Sequence, residues 1–230
     1  LPKYRGASPI QWALANGDSA LARRMRDPAL RDSILRGVID FLLNDRGGGD
    51  IRRVQFGQVS WQRALEGRTL HDWAVMRGVP PTPEGAAPLV VEAQLNGGAS
   101  MIYHVIDEGD VRRIMAHPQT MIASDGRLTS PGEGQPHPRA YGTFPRVLGR
   151  YVRDLGVLSL EIGVHKMTGM PATRLGLSER GAVVEGAIAD LVIFDARTVA
   201  DRATFEQPHQ YAAGIGDVLV NGIPVVSGGA

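Results

Sequence analysis

Short apolar runs alternate with helix-like stretches through the first half of the sequence, and this alternation restricts the possible folds more than any other feature. Three runs have the length and the two-residue spacing of strands: 52–60 (RRVQFGQVS), 100–106 (SMIYHVI) and 120–124 (TMIAS). Apolar residues recur at helical spacing in the stretches 27–43, 69–77, 86–95 and 107–118. Strands that alternate with helices predict a parallel sheet with right-handed crossovers, in an open sheet or a barrel.

The pattern changes after residue 158. A helix is predicted over 159–166, and a second helix ends at Gly176, where glycine suits the end of a helix. From Gly181 onward, short β-like segments separated by glycine (GAVVEGAIADLVIFD and GDVLVNGIPVV) predict a small antiparallel β layer. This change of texture divides the chain into two predicted segments, 1–177 and 178–230.

Composition excludes several classes of protein. The 25 basic and 24 acidic residues are mixed along the chain and leave a net charge of +1, which does not predict a nucleic-acid partner. There is no cysteine, so the chain offers no disulfide and no thiolate nucleophile or metal ligand. No apolar run approaches the ~20 residues of a membrane helix. The first residue is Leu1 and not methionine, and the opening LPKYRG is neither a signal peptide nor a clear domain start, so we expect a fragment. We assign it to the cytoplasm only by default.

The segment TMIASDG (120–126) contains the first candidate catalytic residue. If 120–124 is a core strand, Asp125 lies at its C-terminal end, where parallel sheets and barrels build their sites. Gly126 would then let the backbone turn away at once. The alternative is that Asp125 only caps the next turn, as aspartate often does. The residues alone leave both interpretations open.

The loop that follows contains candidate binding residues. His137, Arg139 and Tyr141 lie close together in QPHPRAYG, and an arginine there could hold a carboxylate through its planar fork. The alternative is a solvated loop followed by a helix whose solvent-exposed face contains Arg146, Arg150 and Arg153. The other histidines form no spaced pair typical of a metal site.

Several motifs give the chain a specific resemblance. MIASDG (121–126), HPRAYGTFPRVLGRYVRDLG (137–156) and HKMTGMPATRLGL (165–177) resemble the C-terminal half of D-aminoacylases, the N-acyl-D-amino-acid deacylases of the amidohydrolase superfamily. The segments RGAVVEGAIADLVIFD, TVADRATFEQP and AAGIGDVLVNGIPV continue the match in order. This resemblance implies an α/β fold: the C-terminal part of a metal-dependent (β/α)8 barrel (1–177), followed by part of a small β-sandwich (178–230).

The resemblance also implies a chemistry. Asp125 matches the acid that takes a proton from a zinc-bound water, directs the hydroxide to the amide carbonyl and then protonates the leaving amine; it is also a possible metal ligand. Arg139 would bind the carboxylate of an N-acyl-D-amino acid, and His137 is a second substrate-binding candidate. The implied cofactor is zinc, and the implied partner is this small-molecule substrate.

The departures from the family lead to further expectations. The family's early H-x-H pair, cysteine and two later histidines have no counterpart in this sequence, so we expect these 230 residues to be inactive by themselves. Two alternatives stay open. One is a hydrolase of cyclic amides, similar to a dihydroorotase or hydantoinase, and the other is a truncated module without catalytic activity.

Overall fold

The computed structural model describes residues 11–229, and these form two compact units. The first unit contains residues 11–105 together with Glu133–Gln135. The second unit contains 106–132 and the residues from Pro136 onward. The opening LPKYRG lies outside the described residues. The predicted division near residue 177 separates a barrel part from a sandwich part, and it stays a prediction.

The first unit is built mainly of helices around a two-stranded sheet. Its helices and strands, in chain order, are α1 (Gln11–Leu14), α2 (Asp18–Arg24), α3 (Pro28–Asn44), β1 (Val54–Gln58), α4 (Leu70–Met76), α5 (Pro83–Leu95) and β2 (Ser100–Tyr103). Local sequence explains where the helices begin. Asp27 accepts hydrogen bonds from the first free N–H groups of α3, and Thr69 and Asp72 form a reciprocal capping box at α4.

The core of the first unit lies between its helices and the two-stranded sheet. Phe56 of β1 contacts the Trp73 ring of α4 edge to face at 5.5 Å, and α3 adds Ile34, Val38 and Leu42. The predicted helices and strands of this unit are confirmed. The predicted parallel pairing is wrong for these strands, because β1 and β2 pair antiparallel. A single helix between two strands would bring the second strand back parallel to the first. Two helices, α4 and α5, connect β1 to β2, so β2 runs in the direction opposite to β1.

The second unit begins with helices. These are α6 (Glu108–Ala116), α7 (Arg139–Arg146), a π-helical segment (Val147–Asp154), α8 (Leu160–Met167) and α9 (Gly169–Leu175). Asp107 caps α6 and Ser159 caps α8. Gly176 ends α9 with a φ of 71°, as predicted for a glycine at this position.

The segment 120–124 is not a strand in the structure, which corrects the prediction made from its sequence. A strand needs a neighbour to satisfy its backbone hydrogen bonds, and none of the described strands pairs with this segment. The N–H of Ile122 instead donates to the carbonyl of Lys166 in α8, at 3.0 Å.

The second unit ends in the predicted antiparallel β layer. The strands β3 (Leu191–Phe194), β4 (Ile215–Val220) and β5 (Ile223–Val226) pair in the order β3-β4-β5. Asn221 and Gly222 join β4 to β5, with φ angles of 52° and 79°. Two consecutive positive φ angles are typical of the tight Asn-Gly hairpin turn.

Among residues 11–229, no helix combines the length and the apolar character that crossing a membrane requires.

Candidate functional site

Asp125 and Arg139 are brought together in the second unit. The guanidinium Nε of Arg139 lies 2.7 Å from Oδ1 of Asp125. The Asp125 side chain is 81% exposed and that of Arg139 is 42% exposed, so both remain accessible to a small molecule. The pair brings together the two residues that the sequence analysis favoured as site candidates, although they are 14 positions apart in the chain.

Ser124 ties the Asp125 segment to the first turn of α7. Its Oγ accepts a hydrogen bond from the N–H of Gly126 at 3.1 Å, and it donates toward the Arg139 carbonyl at 3.3 Å. The same oxygen lies 3.0 Å from Oγ1 of Thr143. Asp125 is therefore flanked by two residues whose positions depend on α7.

Gly126 has a different role from the one predicted. A Cβ at this position would lie 2.8 Å from both Cα of Ala140 and the carbonyl oxygen of Arg139. Its φ is outside the left-handed region, so the backbone does not need glycine for the turn itself. Glycine is required because the chain passes too close to α7 for any side chain.

His137 lies at the start of α7 beside Arg139. Its Nδ1 accepts a hydrogen bond from the N–H of Arg139 at 3.0 Å, and its ring contacts Phe205 edge to face at 5.1 Å. These contacts stabilise the chain at the N-terminus of α7. A role for His137 in binding substrate stays a prediction.

Sequence reasoning missed an aromatic cluster beside α7. The hydroxyl of Tyr141 lies 2.9 Å from Nδ1 of His209, and the Tyr141 ring also contacts Tyr211 edge to face at 5.6 Å. His209 and Tyr211 come from the segment QPHQYAAG (207–214), which precedes β4. The clustering of His and Tyr there was the available signal.

The arginines at the end of α7 and in the π-helical segment do not form a purely solvent-exposed face. Arg146 pairs with Asp201 at 2.8 Å, and the Asp201 side chain is only 14% exposed. Burial works most strongly against the charge of Arg146, but the hydrogen bond and charge of Asp201 together raise the pKa of this guanidinium. Arg153 donates to the Val199 carbonyl at 2.7 Å. Through these contacts, α7 and the π-helical segment bind the 199–201 segment.

The described residues do not by themselves form a metal site. Between residues 11 and 229, no three His, Cys, Asp or Glu side chains meet in a group that could hold a metal ion. Asp125 has the carboxylate chemistry that zinc accepts, but here its partner is a cation. Asp125 as a metal ligand stays a prediction.

Comparison with known proteins gives a consistent result. The profile of the amidohydrolase family matches residues 49–226. A D-aminoacylase of Alcaligenes xylosoxydans xylosoxydans is 52% identical over 161 residues, which are 70% of this chain and 31% of that protein. The chain therefore spans about a third of the length of this relative.

Two solved structures are similar to the chain. A D-aminoacylase studied for its binuclear metal centre matches with a TM-score of 0.68 and 47% identity, over 77% of this chain and 35% of that one. An N-acyl-D-glutamate deacylase from Bordetella bronchiseptica, complexed with zinc and a phosphonate inhibitor, matches with a TM-score of 0.68 and 34% identity, over 95% and 44%. These matches confirm the predicted fold class. The chain belongs to the amidohydrolase family.

Proposed function

We propose that the chain is part of a zinc-dependent amidohydrolase that hydrolyses N-acyl-D-amino acids to a D-amino acid and a carboxylate. The observation that carries the proposal is the pairing of Asp125 with Arg139, an acid and a carboxylate-binding cation 2.7 Å apart. Support comes from relatives that are named for this activity and are 52% identical over the compared residues. Those relatives are longer, so the activity is proposed for the whole protein.

Asp125 is the proposed general base and acid. Its carboxylate accepts a proton from the attacking water while the water oxygen bonds to the amide carbonyl carbon. It then returns that proton to the amine nitrogen as the C–N bond breaks. One carboxylate can perform both transfers because they occur in successive steps. Its exposure leaves room for water and for the scissile amide on the side away from Arg139.

Zinc, when bound, would polarise the carbonyl and lower the pKa of a bound water toward ~7. We assign to Asp125 a place beside this ion and propose that most of the metal ligands come from other parts of the protein. Support comes from the similar N-acyl-D-glutamate deacylase, which was solved with zinc. The inactivity of these 230 residues alone stays a prediction.

Arg139 is the proposed binding group for the substrate carboxylate. In this structure it pairs with Asp125, and both side chains are accessible to solvent. An exposed ion pair contributes only about 0–1 kcal/mol, so a substrate carboxylate can replace Asp125 as the partner of the guanidinium. The exchange would free Asp125 to act as a base when substrate arrives.

The first test is Asp125→Asn in the protein at its natural length, loaded with zinc and assayed on N-acetyl-D-methionine. Loss of the base should lower kcat by about 10²- to 10⁴-fold. Asp110→Asn, at an exposed carboxylate on α6, is the matched control and should keep its activity.

A substrate panel decides between the proposal and its alternatives. It contains N-acetyl-D-methionine, N-acetyl-L-methionine, hydantoin and dihydroorotate. Turnover of only the cyclic amides would replace the proposal with the cyclic-amide alternative. No turnover of any of them would favour the non-catalytic module.

A further inference from the structure

We infer that Lys166 is a positioning residue for Asp125, because its buried ammonium group holds the segment that leads to this acid. The inference rests on the proposed function, since it concerns the same carboxylate. It adds a residue to which the sequence motifs gave no role.

The ammonium group of Lys166 lies in a cage of oxygen atoms. The residue is 2% exposed. Its Nζ donates to the carbonyl of His117 at 2.5 Å, to the carbonyl of Thr120 at 2.8 Å and to Oγ1 of Thr120 at 3.3 Å. An ammonium group has three N–H donors, and the cage offers one oxygen for each of them. A buried cation is tolerated only when it is satisfied in this way.

The contacts join α8 to the chain that precedes Asp125. The His117 carbonyl lies at the C-terminus of α6, where helix carbonyls lack partners and a cation is favourable. The carbonyl of Lys166 itself accepts the N–H of Ile122 at 3.0 Å. One residue thus binds the segment at positions 117, 120 and 122.

These contacts are important because the segment that leads to Asp125 does not belong to a sheet. Residues 120–130 contain no strand or helix, so individual hydrogen bonds and side-chain contacts fix the path to Asp125. Lys166 holds the segment upstream of the acid. Ser124 and Arg139 hold it at the acid itself, through the contacts with α7. Removal of the upstream anchor should let the carboxylate move while its own contacts stay available.

The composition of the chain supports a specific need for lysine. The sequence contains only two lysines, Lys3 and Lys166, among its 25 basic residues. A compact ammonium can direct three donors to three converging oxygens, whereas the planar guanidinium of arginine cannot. In a chain that otherwise uses arginine, a buried lysine indicates a position selected by geometry and not by charge alone.

The test is Lys166→Met in the natural-length, zinc-loaded protein, with N-acetyl-D-methionine as substrate. We expect kcat to fall by about ten- to a hundred-fold, as for a small misplacement of a reacting group, while KM stays near the parent value. Zinc content should not change. Hydrogen exchange of the amides at 120–126 should become faster. Arg174→Met, which removes an exposed cation from α9, is the matched control and should change none of these quantities.

A double variant separates positioning from general structural support. If Lys166 acts through Asp125, the variant Lys166→Met/Asp125→Asn should be no slower than Asp125→Asn alone. A further fall of kcat in the double variant would overturn the inference, and so would an unchanged kcat in Lys166→Met. If the parent protein does not hydrolyse the substrate, the proposed function fails. The exchange measurement then still tests the anchor, which unchanged protection at 120–126 would refute.

A milder variant covers the case in which Lys166→Met does not fold. Thr120→Val removes one oxygen of the cage and leaves the lysine in place. It should lower kcat less than Lys166→Met, and it should have no effect in the Asp125→Asn background. An effect of equal size in both backgrounds would overturn the inference.

Discussion

At the scale of single residues, the candidate site depends more on the close approach of the 124–126 segment to α7 than on buried charges. Asp125 and Arg139 are both exposed, so their ion pair adds little to stability. Gly126 allows the chain to pass within van der Waals contact of α7, and Ser124 fixes the backbone on either side of the acid. Substitutions at the charged pair should therefore change function while leaving the fold intact.

Arg139→Ala should raise KM for N-acetyl-D-methionine by about 10- to 100-fold, since a hydrogen bond to a charged group is worth about 1.5–3 kcal/mol. The change should be absent for an N-acyl amine that lacks the carboxylate. Steady-state kinetics on both substrates measures the difference. The exposed Arg127→Ala is the control variant. Equal losses on the two substrates would show that Arg139 does not bind the carboxylate.

At the scale of elements, local contacts determine where helices and turns begin and end. Side-chain caps lie at the start of four helices, at Asp27, Thr69, Asp107 and Ser159. Each cap satisfies N–H groups two or three residues away, so a short stretch of sequence contains all the participants. The β4–β5 turn follows the same principle through its Asn-Gly pair.

Asp190, the residue before β3, binds this turn and makes the stability of the β layer depend on pH. It accepts the N–H of Asn221 at 2.8 Å, and it pairs with Arg180. The hydrogen bond from Asn221, and then the hydrogen bond and charge of Arg180, lower the pKa of Asp190. A carboxyl with a lowered folded-state pKa stabilises the fold above its unfolded pKa of about 4. That stabilisation is lost as the pH falls through the folded-state pKa.

Asp190→Asn should therefore lower the free energy of unfolding at neutral pH, and the difference from the parent should shrink as the pH falls below about 4. Urea denaturation followed by far-UV circular dichroism at a series of pH values measures this difference. Glu185→Gln, at an exposed position in the same stretch, is the control. A difference that stays constant with pH would mean that the carboxylate charge is not responsible.

At the scale of the whole molecule, each of the two units has its own buried residues. The first is centred on Trp73 and Phe56. The second includes Val147, Leu148, Tyr151, Leu158 and Val199. All three tryptophans, Trp12, Trp61 and Trp73, belong to the first unit, so tryptophan fluorescence reports on that unit.

Ile34→Ala in α3 should lower the stability of the first unit by about 2–5 kcal/mol, because it leaves a cavity at a fully buried position. Leu30→Ala, at a half-exposed position of the same helix, should cost much less. Denaturation followed by tryptophan fluorescence measures both. Asp190→Asn, in the other unit, should leave this fluorescence transition unchanged. A common shift by both variants would mean that the units unfold together.

The sequence by itself determined the helices, their caps, the glycine that ends α9 and the hairpin turn, because each depends on groups a few residues apart. Its motifs also indicated the family, together with Asp125 and Arg139 as site candidates. Only the tertiary structure decided that β1 and β2 pair antiparallel and that 120–124 is not a strand, because strand identity depends on partners distant in sequence. The same reason applies to the bond from Lys166 to His117, 49 positions apart, and to the Arg146–Asp201 pair, 55 positions apart.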